Sequence, residues 1–398
     1  MSRTLVSRFG CCALLALALP LVGCERDTRY LNVVFERFDL TVDGSGAVDG
    51  TGLDGAPSDG APLIQDPNLV NPIGLQLSPG GSFWVANNAT GTSTVYRADG
   101  TPLPASEPLL VTLPAPAPAV PAVPPEVAAA AAVTGVAYNG GYGLAISSGE
   151  RSGSARYVFA SADGTLLGFN PDVDPVNAVI AVDNSASGAV YRGLSVVPFR
   201  TGSRVYVTNF SAGTVDVFDP LFAPAGDLAP AAFEDLELPS SYAPFGIQRI
   251  DRRLYVSYAE RDAEGREPVR GPGKGYVDAF ALDGTFLARI ASEGPLDAPW
   301  GMTRVPWYFP YFGGALLVGN LGDGRINAFD LYDRVHLGSL NDPLEQPLVI
   351  DGLGDLVFGS GPEQDYPGLF FTAGPNGGQG GTFGRLQVRF VKAQPPRE

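Results

Sequence analysis

Residues 316–330 read Leu-Leu-Val-Gly-Asn-Leu-Gly-Asp-Gly-Arg-Ile-Asn-Ala-Phe-Asp. An apolar run, a polar Gly/Asp turn and a second, alternating run are the pattern of an antiparallel hairpin. Strand side chains alternate between two faces, and Gly, Asn and Asp supply the reversal. Residues 205–219 repeat the pattern as Val-Tyr-Val-Thr-Asn-Phe-Ser-Ala-Gly-Thr-Val-Asp-Val-Phe-Asp, and 83–96 and 157–169 carry it again. Another copy at 254–258 resumes at 275–280 after an insertion, and the last, 369–374, is rejoined at 383–388.

Ahead of each hairpin lies a short strand with a glycine: Gly74, Gly135, Gly193, Gly246 and Gly301, at intervals of 61, 58, 53 and 55 positions. The sixth copy, Gly354-Asp355-Leu356, has lost the glycine at the matching place. A small residue recurring in the first strand of every unit suits close backbone approach where inner strands crowd an axis. Six units of about four strands, none able to bury both faces alone, predict an all-β fold, a six-bladed β-propeller. The sixth unit offers three strands, around 355–358, 369–372 and 383–390, so the missing outer strand is expected from Leu31–Val42, where Leu31, Val33 and Phe35 alternate. Closing the ring through the termini removes an exposed sheet edge.

Composition agrees. Among 398 residues there are 51 Gly and 36 Pro, as many tight turns require, and 45% hydrophobic residues, enough for a large core. The formal charge of −16 opposes nucleic-acid binding, which needs a basic footprint.

The chain opens with Arg3 and Arg8, then an apolar run over 11–20, then Leu21-Val22-Gly23-Cys24. This is an export signal rather than a membrane span, and the tetrad resembles the bacterial lipobox, whose cysteine is lipidated and becomes the first residue of the mature protein. The expected organisation is a lipoprotein signal peptide over 1–23 and a tether with closing strand and Gly/Asp-rich linker over 24–66. The propeller follows over 67–391 and a tail over 392–398. The expected location is a bacterial cell envelope, periplasm- or surface-facing, with the membrane reached through Cys24. The three cysteines are Cys11, Cys12 and Cys24, so cleavage after Gly23 leaves no disulfide and no cysteine zinc site. Asp43, Asp49, Asp54 and Asp59 lack the spacing of a calcium loop and read as linker. The Pro/Ala tract 114–132 reads as a surface insertion. The cluster Trp307, Tyr308, Phe309, Tyr311 and Phe312 reads either as a partner-binding patch or as a loop folded onto its own blade.

The stretches 66–74 (Asp-Pro-Asn-Leu-Val-Asn-Pro-Ile-Gly), 243–248 (Ala-Pro-Phe-Gly-Ile-Gln), 316–330 and 370–376 (Phe-Phe-Thr-Ala-Gly-Pro-Asn) resemble a family of exported bacterial propellers without assigned activity. That family is related to NHL-repeat and gluconolactonase-like propellers. The resemblance spans roughly 67–391 and implies fold and export; the lipobox, the Pro/Ala insertion and the Gly-rich 376–381 turn depart from it. Gluconolactonase-like enzymes hold a divalent metal with carboxylates and Asn in the channel, and no acidic ligand set can be placed on the inner strands here.

In a propeller the loops entering each inner strand share a face with the turn of each second hairpin. The repeat places Asn71, Arg192, Phe245 and Trp300 there from the first set, and Asn87, Asn209, Tyr258, Asn320 and Asn376 from the second. Recurrent Asn has a structural reading, tolerance of left-handed backbone and capping of its own turn. It also has a functional one, a ring of amide oxygens suited to Ca2+ or another hard cation, or to a carbohydrate. The single histidine, His336, falls in a presumed outer strand, which leaves no Ser-His-Asp triad and no histidine metal site. Asp163, Glu260 and Asp323 are scattered carboxylates, two of them in Asp-Gly turns. The expected role is a binding or scaffolding module for an envelope protein or a carbohydrate. The second reading is a metal-dependent hydrolase or lactonase at the channel mouth.

Overall fold

The computed structural model describes residues 31–44, 63–117, 130–309, 311–359 and 368–392. The signal peptide, Cys24, most of the Gly/Asp linker, residues 118–129 of the Pro/Ala tract and the end of the tail lie outside the described residues.

Six small blade sheets follow one another along the chain, as the repeat predicts. They are antiparallel but for Ile64–Gln65 beside Leu31–Val42, and a separate two-stranded ribbon, Ala145–Ser148 and Arg151–Ser154, is inserted in the second. The first blade is Pro72–Leu77, Phe83–Asn87, Thr92–Tyr96 and Leu110–Thr112; the second is Val133–Tyr138, Tyr157–Ser161, Thr165–Phe169 and Val179–Asp183. The fourth is Tyr242–Ile250, Arg253–Arg261, Tyr276–Ala281 and Phe286–Ser292, and the fifth Pro299–Arg304, Leu316–Asn320, Ile326–Phe329 and His336–Ser339. The third blade corrects the expectation of four strands. Among the described residues it has Tyr191–Val197, Arg204–Asn209 and Thr214–Phe218 and no fourth. Pro220, Pro224, Pro230 and Pro239 follow at once, and proline cannot donate to a ladder.

The sixth blade is assembled from both ends of the chain. Leu353–Gly359, Gly368–Ala373 and Thr382–Lys392 are joined by Leu31–Val42, which runs antiparallel to the last of them from Leu31 opposite Lys392 to Val42 opposite Thr382. Phe35 and Phe38 of this closing strand are buried, each contributing roughly 1.5–3 kcal/mol by the usual value of a buried large apolar side chain.

The first strands of all six blades contact one another in sequence, and the sixth returns to the first. Glycine is needed where they do. A Cβ on Gly246 would lie 2.4 Å from the carbonyl oxygen of Trp300 in the next blade, and one on Gly193 would lie 2.6 Å from the nitrogen of Ile247. Hydroxyls on the second strands add ties that the repeat alone does not suggest. Thr208 Oγ1 accepts from Gly193 N at 2.8 Å and donates to the Phe245 carbonyl at 2.7 Å, and Ser257 Oγ links Gly246 N to the Pro299 carbonyl in the same way. Each hydroxyl binds its own inner strand to the next one.

Candidate functional site

The ring has two ends. The leading face is where the chain enters each inner strand; the trailing face is where each inner strand finishes. The sequence places the candidate mouth on the leading face. There the axis is filled. Ile73, Val190, Phe210, Ala243, Phe245, Ala298 and Trp300 form one buried apolar cluster. The Phe245 ring lies 5.3 Å from Phe210 and 4.7 Å from Trp300, centroid to centroid, and the Trp300 indole N–H donates to the Ile73 carbonyl at 3.1 Å.

Arg192 covers this plug. Its guanidinium carbon stands 5.8 Å and 5.9 Å from the Phe210 and Phe245 ring centroids, and it donates to Glu267 Oε1 at 2.7 Å and to the Arg266 carbonyl. Arg266 in turn reaches the Ala162 carbonyl of the second blade at 3.4 Å. The loop after Arg261 is therefore a cap laid across the leading end. Arg192, Phe245 and Trp300 do come together, but as a seal rather than an open mouth.

The asparagine amides donate locally, while Oδ1 of Asn87 and of Asn320 is buried without a partner among the described residues. Asn87 donates to Thr92 and Thr94 hydroxyls at 3.3 and 3.0 Å, and Asn209 donates to Asp216 at 2.9 Å. Asn320 donates to the Pro295 carbonyl at 2.8 Å and to Asp323 at 2.9 Å. In each turn the backbone N–H of a left-handed glycine, Gly91, Gly213 or Gly324, donates to the carbonyl of that asparagine, which closes the loop. Asn71 and Asn376 are themselves left-handed, with φ of 48° and 56°; the Asn71 amide donates to Asn88 and the Asn376 backbone N–H to Asp351. Tyr258 packs instead with Phe233, Phe280 and Tyr276, between the third and fourth blades, and burial pushes its phenol well up.

The scattered carboxylates are spent in the same way. Asp163 accepts from Ala132 N at 2.7 Å, Glu260 pairs with Lys274 at 2.5 Å, and Asp323 accepts from Asn320 and Arg325 N. His336 sits exposed on the outer strand of the fifth blade. Among the described residues no three His, Cys, Asp or Glu side chains are grouped to hold a metal ion.

Below the plug the axis opens. A cavity of 230 Å³ is lined by all six inner strands and runs to the trailing face, where exposed Arg249 stands. Its polar members include Gln76, Ser195, Gln248, Arg249 and Asp355, and among the described residues Asp355 is the one carboxylate in the lining. Asp355 stands where the other five blades have the crowding glycine: the residue after it, Leu356, pairs with Phe371 as Met302 pairs with Val318 and Ile247 with Val256. Its Oδ1 accepts from Leu356 N at 2.8 Å and its Oδ2 from Leu75 N at 3.3 Å, so the carboxyl bridges the sixth and first blades. Burial pushes this acid up to about 7, against the pull of those two N–H groups. Near neutral pH it is a donor as well as an acceptor. Gln248 and Ser195 have no side-chain partner among the described residues, so their hydrogen-bonding groups face the cavity.

Asp355 is absent from the sequence-derived site set. The signal was visible as the one inner strand without its glycine, but only the ring shows that this position looks down the axis.

No family model matches the chain. Uncharacterized protein R648 of Acanthamoeba polyphaga mimivirus is 34% identical over 316 residues, covering 77% of this chain and 72% of that one. Uncharacterized protein L690 of the same virus is also 34% identical over 316 residues, covering 77% of each. Among solved structures, a protein of unknown function from Bacteroides thetaiotaomicron superposes with a TM-score of 0.51 at 11% identity. It covers 90% of this chain and 77% of that one, a likeness of fold alone. At this level of identity and coverage, the chain belongs to the same protein family as R648 and L690 of the mimivirus.

Proposed function

We propose that this propeller is an exported, lipid-anchored binding module whose ligand enters the axial cavity from the trailing face. The observation that carries the reading is the cavity itself. Six strands surround a polar space in which one carboxyl, two amides and a hydroxyl converge. The free hydrogen-bonding groups of Gln248 and Ser195, beside the remaining acceptor capacity of Asp355 and Gln76, favour a ligand rich in hydroxyl groups, of the carbohydrate class. Among the described residues the lining offers a single carboxylate, whereas glycoside hydrolysis uses two, so recognition fits this cavity better than catalysis. Export, anchorage at Cys24 and an envelope location rest on the signal-like start and the lipobox-like tetrad of the sequence. The relatives named above are viral, and a bacterial source rests on that tetrad alone.

The test is a thermal-shift survey of the full chain against a panel of monosaccharides and their amino-sugar counterparts. A sugar that raises Tm in the native chain but not in Gln248→Leu or Asp355→Asn supports the reading. A panel without effect, or one acting equally on native and variant chains, removes the cavity as the site. The anchor is tested separately, by the mass of the N-terminal peptide carrying Cys24.

A further inference from the structure

We propose that the trailing face docks on a lipid bilayer through Trp307, Tyr308 and Tyr311, an inference that rests on the lipid-anchor reading for its tether. These residues lie in the loop joining Pro299–Arg304 to Leu316–Asn320, which the strand order places on the trailing face. The loop is held down by two of its aromatics and offers the others to solvent. Phe309 is buried, stacked on Phe35 at 6.3 Å and edge-on to Phe358 at 5.4 Å between centroids, and Phe312 packs into the same cluster. Trp307 is 82% exposed, Tyr308 51% and Tyr311 46%. The next turn on that face of the blade, between Ile326–Phe329 and His336–Ser339, adds Tyr332 at 89%.

Leaving large rings in water costs free energy that burial would recover, and a loop that buries two aromatics while extending three is not simply covering its own blade. Indole and phenol rings, apolar in body and polar at the tip, are the side chains that settle at the headgroup level of a bilayer.

The path of the chain says which occupant covers them. Leu31 pairs with Lys392, at the trailing end of the sixth blade, so the closing strand begins on this same face. Val33 packs in one cluster with Phe309 and Phe312, which puts the start of the closing strand beside the aromatic loop. Cys24 lies seven positions before Leu31. At 3.3–3.6 Å per residue that segment spans at most about 25 Å, so acyl chains on Cys24 keep this edge of the propeller close to the membrane. With a net charge of −16, attraction to anionic lipid is not the driving term, and the contact is aromatic. The cavity mouth shares this face and is turned toward the membrane surface.

Trp307 reports on its own docking, because Trp84 and Trp300 are buried at 7% and 4% exposure. The full chain, processed by a bacterial host, is reconstituted in phosphatidylcholine vesicles with plain or brominated acyl chains. Emission is compared with that of Trp307→Phe, which supplies the signal of the two buried tryptophans. The expected result is a blue shift and strong bromine quenching of the Trp307 component, weakened in Tyr308→Ser/Tyr311→Ser. A lipidated chain whose Trp307 emission is the same with both vesicles overturns the docking surface and leaves the anchor standing. A chain without lipid whose Trp307 is nonetheless quenched supports the surface and discards the anchor. A blue shift that appears with protein concentration in the absence of vesicles assigns the patch to a second copy and overturns the proposal.

Discussion

At the leading end of the axis Ile73, Phe210, Phe245 and Trp300 exclude water beneath a cap held by Arg192, Arg266 and Glu267. At the trailing end the same six strands enclose a polar cavity with Asp355 in its wall. The band between them is the ring of glycines, which lets the backbones approach until little but main chain fits. On one side of that band large aromatics meet across the axis. On the other, Gln76, Ser195, Gln248 and Asp355 stand among aliphatic side chains around an open space. A shared repeat thus gives two ends of different chemistry, because the ring fixes where side chains point and each residue's size and polarity decide whether water stays.

The largest expected effect comes from opening the sealed end. Trp300→Ala and Phe245→Ala each empty a packed aromatic site and are expected to cost about 3–5 kcal/mol in urea unfolding, the usual range for such truncations. A loss near zero would show that the plug is not part of the folding core.

Next is the acid in the cavity wall. Asp355 has its folded pKa raised to about 7 above an ordinary 3.8, so the fold prefers the neutral form. Its contribution is fully present below the ordinary carboxylate range and fades as pH climbs through about 7, by roughly a few kcal/mol at most. Asp355→Asn should be less stable at acid pH, because the amide can accept from only one of the two backbone N–H groups, but its stability should depend less on pH between about 4 and 8. Asp278 retains a share of that dependence, since burial pushes it up to about 7 against the opposing Arg289. Equal slopes for native and variant chains would place the Asp355 carboxyl in a more watery setting.

A smaller loss, about 1–3 kcal/mol, is expected from Arg192→Ala, which strips the cap of a charged hydrogen bond and of two ring contacts. The test of the comparison is where the effect appears: hydrogen exchange should quicken at residues 262–268 and not along the cavity-lining ends of the inner strands. The smallest effects separate turn asparagines from ligands. Asn209→Ala and Asn320→Ala are expected to cost about 1 kcal/mol each. Chelation of divalent cations should leave the Tm of the native chain and both variants unmoved. A chelator-sensitive Tm that vanishes in Asn320→Ala would restore a cation to the leading face.

Much of the fold is legible in the sequence because it depends on local pattern. The hairpins of 83–96, 205–219 and 316–330 announce themselves by alternation and by glycine turns, and Leu31–Val42 has the right pattern and the right place to close the ring. The candidate site is less legible. Asn87, Asn209 and Asn320 share a repeat position, which is as true of a turn signal as of a ligand ring; their amide N–H groups bond locally, while the Oδ1 atoms of Asn87 and Asn320 have no partner among the described residues. Phe245 and Trp300 are rightly gathered at one end, but nothing local says that Phe210 and Ile73 complete a plug with them.

What the sequence determined by itself is the repeat, the number of blades and the glycine in five of the six crowded inner strands. What only the tertiary structure decided is which end of the axis is solid and which is hollow, and that Asp355 faces the hollow one. It also decided that the aromatic loop and the start of the closing strand share one face. Periodicity is written along the chain, whereas convergence on an axis joins residues as far apart as Leu75 and Asp355, and their meeting depends on the ring being closed.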